Sequence, residues 1–296
     1  MDSLPSRPAD LRRAYGADSL QFGELRLPAG KGPFPVAIVI HGGCWVSRFA
    51  SLRNTAALAD ALRREGVATW NVEYRRLDHP GGGWPGTLED VAAAADFLRT
   101  LARARPLDLT RVVAVGHSAG GQLALWLAAR KRLPAGSPLA PGNPLPLRGV
   151  VSLGGISDLA EFGERDRATC GPVVARLMGG TRAEVPERYA QASPIELLPL
   201  GTRQILIAGD SDRIAPQAGR DAYVAAALRA GDRVEQITVP GAGHFEVIAP
   251  TTSAWPLVRD AVRSALGMIR PERRGRAVPD RAPYAAEPAG ATGSGA

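Results

Sequence analysis

Ser118 stands in Gly116-His117-Ser118-Ala119-Gly120, at the junction between an apolar run at residues 111–115 and a stretch of helical character at 122–130. Glycines two positions to either side let the two backbones close on one another, where a larger residue would collide. This pattern fits a strained strand-to-helix turn that pushes the serine hydroxyl into the open. The helix that begins just after the serine aims its free N–H groups at the place where an oxyanion would develop. The chemistry such a turn suits is nucleophilic attack on a carbonyl carbon.

A serine hydroxyl is a weak nucleophile at neutral pH, so it needs a base, and the base needs an orienting acid. Among the four histidines, His244 in Pro240-Gly241-Ala242-Gly243-His244-Phe245 is the expected base, because a glycine-rich loop after a strand can carry the imidazole to the serine. His117 is expected to point away from the reaction centre. His79 lies in a flexible loop and His41 in the glycine loop considered next. Three aspartates contend for the acid: Asp210 and Asp212, both in the loop 209–216, and Asp158 in Gly154-Gly155-Ile156-Ser157-Asp158. Asp212 is favoured because it is further from its strand end and free to turn toward His244, whereas Asp210 suits a bond to its own loop. Ser118, Asp212 and His244 then occur in the order serine, acid, histidine.

A tetrahedral intermediate needs fixed donors, and His41-Gly42-Gly43-Cys44-Trp45 offers bare backbone N–H groups at Gly43 and Cys44, with Ala119 as a third. Cys44 as a rival nucleophile has no evident neighbouring base. Trp45 and Trp84 are expected on the wall of a substrate pocket, with packing alone as an equal alternative. No histidine or cysteine spacing suggests a metal site, and neither metal nor cofactor is expected.

The surrounding chain must position these groups. Strands are expected at 21–27, 35–40, 67–74, 111–115, 148–153, 204–208 and 234–239. Between them lie helices at 55–65, capped by Asn54, and from Thr87, which forms a capping-box pattern with Asp90 and turns Leu88, Val91, Ala95, Leu98 and Leu101 inward. Further helices are expected at 217–230 and 255–268. Residues 157–199, broken by Pro172, Pro186, Pro194 and Pro199, form an insertion of short helical pieces suited to a lid or pocket wall. Strands alternating with helices imply an α/β fold with a mostly parallel sheet covered on both faces. In such sheets ligands bind at the carboxyl ends of the strands, and every candidate residue above follows one. The expected organisation is an N-terminal extension at 1–18, one folded domain at 19–269, and a disordered tail at 270–296 rich in Pro, Arg, Ala and Gly.

The chain has 296 residues, a net charge of +7 and two cysteines, Cys44 and Cys170. Its cationic residues are nearly all arginines scattered over many segments, so no nucleic-acid stripe is expected. The widely separated cysteines read as reduced. No segment has the length and apolarity of a membrane span or signal peptide, which points to the cytoplasm.

Together, His41-Gly42-Gly43-Cys44-Trp45, Gly116-His117-Ser118-Ala119-Gly120, the loop 209–216 and Gly243-His244-Phe245 resemble the α/β-hydrolase superfamily. Within it, the first of these loops and the Glu73-Tyr74-Arg75 segment before Gly83-Trp84-Pro85-Gly86 resemble the esterases grouped with bifunctional deacetylase/feruloyl esterases and the kynurenine formamidases. The likeness spans residues 20–268 and implies a single-domain α/β-hydrolase fold with a small helical insertion. It also implies a metal-independent serine hydrolase with the triad Ser118, His244 and Asp212, and a small-molecule ester or amide as partner, with no role for nucleic acid or membrane. The favoured activity is hydrolysis of carboxylic esters of small or medium substrates through an acyl-enzyme. Its alternatives are amide hydrolysis, as in kynurenine formamidases or in prolyl oligopeptidase-like peptidases, and a non-enzymatic binding module, although such modules usually lose the serine or histidine.

Overall fold

A computed structural model of the chain describes residues 1–140 and 142–269; the expected tail at 270–296 lies outside the described residues. One sheet runs through the molecule. Its strands are β1 (Leu11–Ala14), β2 (Phe22–Arg26), β3 (Phe34–Ile40), β4 (Ala68–Val72), β5 (Leu107–His117), β6 (Gly149–Leu153), β7 (Arg203–Gly209) and β8 (Val234–Val239). Their order across the sheet is β1-β2-β4-β3-β5-β6-β7-β8. The first two strands join antiparallel and every pairing from β4 to β8 is parallel.

Side chains alternate between the two faces of a strand, and here both faces are covered. From β3, Val36, Ile38 and Ile40 enter one apolar core while Ala37 and Val39 enter the other; β5 does the same with Val112 and Ala114 against Val113 and Val115. The helices α1 (Ala56–Arg64) and α9 (Trp255–Ala265) close the face with Ala37 and Val39. The opposite face is covered by α2 (Gly86–Asp96), the short α3 (Leu98–Leu101), α4 (Ala119–Ala129) and α8 (Gln217–Arg229). The insertion after β6 folds as three short helices, α5 (Leu159–Arg165), α6 (Val174–Met178) and α7 (Pro186–Ala192), and adds Leu159, Phe162 and Met178 to that same core.

Several local expectations are corrected. The strand β1 lies inside the expected extension and pairs Leu11 with Leu25; its LRRA sequence is exposed beyond Leu11 and carries no alternating signal. Asn54 does not cap α1: Ser51 caps a 3₁₀ turn that leads into the helix. Thr87 and Asp90 form no capping box. The Thr87 hydroxyl donates to the Arg75 carbonyl, and the Asp90 carboxylate is taken up by the Arg75 guanidinium (2.7 and 2.9 Å), the Arg75 N–H (2.9 Å) and the Gln21 amide (2.6 Å). The expectation of reduced cysteines is also overturned: Cys44 and Cys170, 126 residues apart, are joined by a disulfide with Cα atoms 5.8 Å apart. Nothing in their spacing signals this, because the folding of the insertion brings them together.

Asp90 thus ties the end of β4 and the start of β2 to α2. Removing one partner of a buried ion pair costs about 3–5 kcal/mol. For a domain of this size that corresponds to a fall in melting temperature of roughly 6 °C or more. Asp90→Ala is expected to show at least this fall in thermal unfolding followed by circular dichroism; an unchanged melting temperature would dismiss the anchoring role.

Candidate active site

At the carboxyl end of β5 the chain turns sharply into α4. Ser118 occupies this turn at φ 54° and ψ −120°, a left-handed conformation for a residue with a side chain. Such geometry persists only where the surroundings enforce it. A Cβ built at Gly116 would lie 1.9 Å from the Gly120 carbonyl oxygen, and one at Gly120 would lie 2.2 Å from the Ile40 oxygen, so β3, β5 and α4 meet with no room for side chains. The Ser118 N–H donates to the Leu153 carbonyl at the end of β6 (2.9 Å). Ala119 opens α4, so its N–H belongs to the first helical turn, which has no intrahelical acceptors.

The loop after β3 lies directly against this turn, since a Cβ at Gly42 would be 2.9 Å from Ser118 Cβ. Among the described residues, neither Gly43 nor Cys44 gives its backbone N–H to an acceptor. Cys44 and Trp45 follow at φ 53° and 56°, each conformation costing roughly 1–2 kcal/mol for an L-residue. Packing holds them. Trp45 is fully buried, donates its indole N–H to Gln122 Oε1 of α4 (3.2 Å) and lies edge-on to Phe162 of α5. The structure therefore seats Trp45 in the core and not on a pocket wall. Trp84 is half-buried and lines a small apolar cavity with Leu88, Leu123, Leu159 and Leu177.

Beneath the loop, Glu73 is a buried anchor. It accepts from His41 Nε2 (2.9 Å), the Leu52 N–H (3.1 Å) and the Tyr74 N–H (3.1 Å), and pairs with Arg76 (3.1 Å). Burial by itself would raise its pKa, but His41, Arg76 and the Tyr74 N–H outweigh that and hold it at about 2. His41 stacks on Tyr74, whose hydroxyl donates back to the His41 carbonyl. Glu73 was recognisable in the sequence only as part of a segment, with no role attached.

Two other strand ends supply the remaining groups. His244, after β8, donates from Nδ1 to Asp212 Oδ2, after β7, at 2.8 Å. The other Asp212 oxygen accepts the Ile214 and Ala215 N–H groups (2.8 and 2.9 Å). Burial works to raise the Asp212 pKa, yet the bonds from His244 and these N–H groups keep it below the ordinary carboxylate value. The rival aspartates are used otherwise: Asp158 caps α5 by accepting from Ala160 and Glu161, and Asp210 accepts the Gly241 N–H. Gly154 backs the pair, since a Cβ there would be 2.9 Å from Asp212 Oδ2 and 3.1 Å from His244 Nδ1. Phe245, about half exposed, sets its ring edge against His244. Ser118 Oγ and His244 form no hydrogen bond in this structure; such contacts commonly tighten only when substrate arrives.

His117 does not turn away. Its Nε2 donates to the His244 carbonyl (2.9 Å), its ring lies 4.6 Å from the His244 ring, and its Nδ1 is buried without a partner. Strand parity carries the missed signal: His117 shares the face of Val113 and Val115, the face that also receives Ala242 and Val247 from the His244 loop.

This fold and site define an α/β-hydrolase. The chain belongs to the BD-FAE family, whose model matches residues 24–223. Esterase LipC of Mycobacterium tuberculosis is 28% identical over 278 residues, covering 88% of this chain and 67% of LipC. The versiconal hemiacetal acetate esterase of Dothistroma septosporum is 24% identical, covering 87% of this chain and 80% of that protein. Among solved structures, a truncated carbohydrate esterase from gut microbiota superposes with a TM-score of 0.74 at 23% identity over 88% of this chain and 99% of its own. No helix among the described residues is long and apolar enough to cross a membrane.

The buried groups predict acid sensitivity. Burial, with the neighbouring His244 ring, lowers the His117 pKa from 6.5 to about 3. Between those values the unfolded chain binds a proton that the native one refuses, so the stabilisation is complete above pH 6.5 and is lost as pH falls toward 3. Glu73 acts the same way below 4.5, losing its contribution toward pH 2. Each such group contributes a slope of up to about 1.4 kcal/mol per pH unit. Urea unfolding of the parent is expected to weaken steeply from pH 6.5 to 4.5, and that of His117→Gln less steeply; equal slopes would dismiss His117 as the source.

Proposed function

We propose that this chain hydrolyses carboxylic esters of small or medium-sized substrates through an acyl-enzyme on Ser118. The observation that carries the reading is the 2.8 Å bond from His244 to Asp212, set at neighbouring strand ends beside a serine held in the left-handed turn. Ser118 attacks the ester carbonyl while His244 Nε2 takes its proton. Asp212 keeps the other imidazole nitrogen protonated and so fixes the tautomer that can act as a base. Negative charge on the carbonyl oxygen is met by the N–H groups of Gly43, Cys44 and Ala119. Losing one donor of this kind typically costs 10²–10³ in rate. His244 then returns the proton to the leaving alcohol, and water releases the acyl group by the same steps.

The esterase names of LipC and the versiconal enzyme support an ester over an amide bond. His117 acts here as a positioning residue, since it holds the carbonyl of the residue whose side chain moves the proton.

A panel of p-nitrophenyl esters tests the reaction. Ser118→Ala is expected to lose turnover and labelling by a fluorophosphonate probe, and Asp212→Asn to lose about 10⁴ in kcat while keeping its fold. Full activity in Ser118→Ala would end the reading. Turnover of N-formylkynurenine exceeding that of short-chain esters would move the bond from ester to amide.

A further inference from the structure

The disulfide has a place that stability alone does not explain. Cys44 lies one residue beyond Gly43 in the loop after β3, whose Gly42 faces the Ser118 turn, whereas Cys170 lies in the insertion between α5 and α6. We propose that the Cys44–Cys170 bridge positions the Cys44 N–H for the reaction, so that turnover depends on the redox state of the pair. This rests on the reading of Cys44 as an oxyanion donor given above.

Both ends of the bridge are built to transmit position. At the insertion end, the Cys170 N–H donates to the Asp166 carbonyl (2.8 Å), and the buried Asp166 carboxylate accepts the Val173 and Val174 N–H groups (2.8 and 2.9 Å). Cys170 itself is buried in the main core. At the loop end, Cys44 is held at φ 53°, which a residue with a Cβ does not keep without restraint. Its neighbour Trp45 is fastened by Gln122 and Phe162, but that indole restrains the chain only on the far side of the Cys44 peptide group. The bridge is the tether on residue 44 itself. With the sulfurs parted, the Gly43–Cys44 peptide group is held by the Val46 N–H, which donates to the Gly43 carbonyl (2.8 Å), and the left-handed backbone of residue 44 loses the restraint on its own side chain, so its N–H is less firmly aimed.

A dithiol reductant opens the bridge by attack of one thiolate on a bridge sulfur. The mixed disulfide is then resolved by the second thiol, leaving Cys44 and Cys170 as two thiols and the reductant as its own cyclic disulfide. Two electrons and two protons pass to the protein. Misplacing a catalytic group by a fraction of its hydrogen-bond length is a rate effect, because a donor of this type acts on the transition state more than on the bound substrate.

The test uses the full chain, air-oxidised and after treatment with dithiothreitol, with thiols counted by Ellman's reagent in denaturant. The oxidised protein is expected to show no thiol and the reduced protein two. At a temperature well below the reduced form's melting point, kcat for p-nitrophenyl acetate is expected to fall at least tenfold on reduction, with KM changing far less. A tenfold fall is about 1.4 kcal/mol of barrier. Cys170→Ser should match the reduced protein and ignore dithiothreitol, and reoxidation of the parent should restore the rate. Two titratable thiols with kcat unchanged would overturn the proposal, as would thiols free in the oxidised protein or a rate loss that merely tracks unfolding. Retained activity in Ser118→Ala would instead strike at the underlying reading, which keeps the two failures apart.

Discussion

The turn at Ser118 is a steric constraint before it is a chemical one. The close approach of Gly116 to the Gly120 carbonyl and of Gly120 to the Ile40 carbonyl leaves one way for β5 to enter α4, and it lifts the serine out of the sheet at φ 54°. The strand order then decides what surrounds it. With β3 on one side of β5 and β6, β7 and β8 succeeding on the other, the loops carrying Gly43, Gly154, Asp212 and His244 must emerge at the same edge of the sheet. Groups as far apart in sequence as Gly43 and His244 reach one edge because parallel strands end together.

Around that edge the polar groups fall into two kinds. Glu73 is charged and fully engaged, and it gathers β4, the His41 loop and the segment at Leu52 about one carboxylate. His117 is kept neutral by burial and touches the site through a single bond to a backbone carbonyl. The first holds the loop that starts at His41, the second the loop of His244.

Much of the architecture could be read from residue pattern. The parallel strands are continuous apolar runs because helices cover both faces, and the glycine-flanked serine announces its own turn. What escaped depended on partners that pattern does not name. β1 is an exposed edge strand with two arginines, so its only mark is the strand it joins. Asp90 has the spacing of a cap but is drawn to Arg75, fifteen residues back. Trp45 could as well have met substrate as core, and Gln122 and Phe162 decided for the core. His117 lies by strand parity on the face of Val113 and Val115, although its neighbour Ser118 leaves the sheet. The cysteines could be joined only by knowing how the insertion folds.

Gly154 gives the His244–Asp212 pair a wall made of main chain. Its Cα faces Asp212 Oδ2 and His244 Nδ1 at φ 54°, with less space than a methyl group would occupy. Because no side chain forms that wall, the polarity behind the pair there is that of the main chain. The adjustable surroundings lie elsewhere, in the His117 ring, in the exposed Phe245 and in the Arg220 guanidinium, which feels the Asp212 charge. A side chain at any of those three places can be exchanged without touching the main-chain wall.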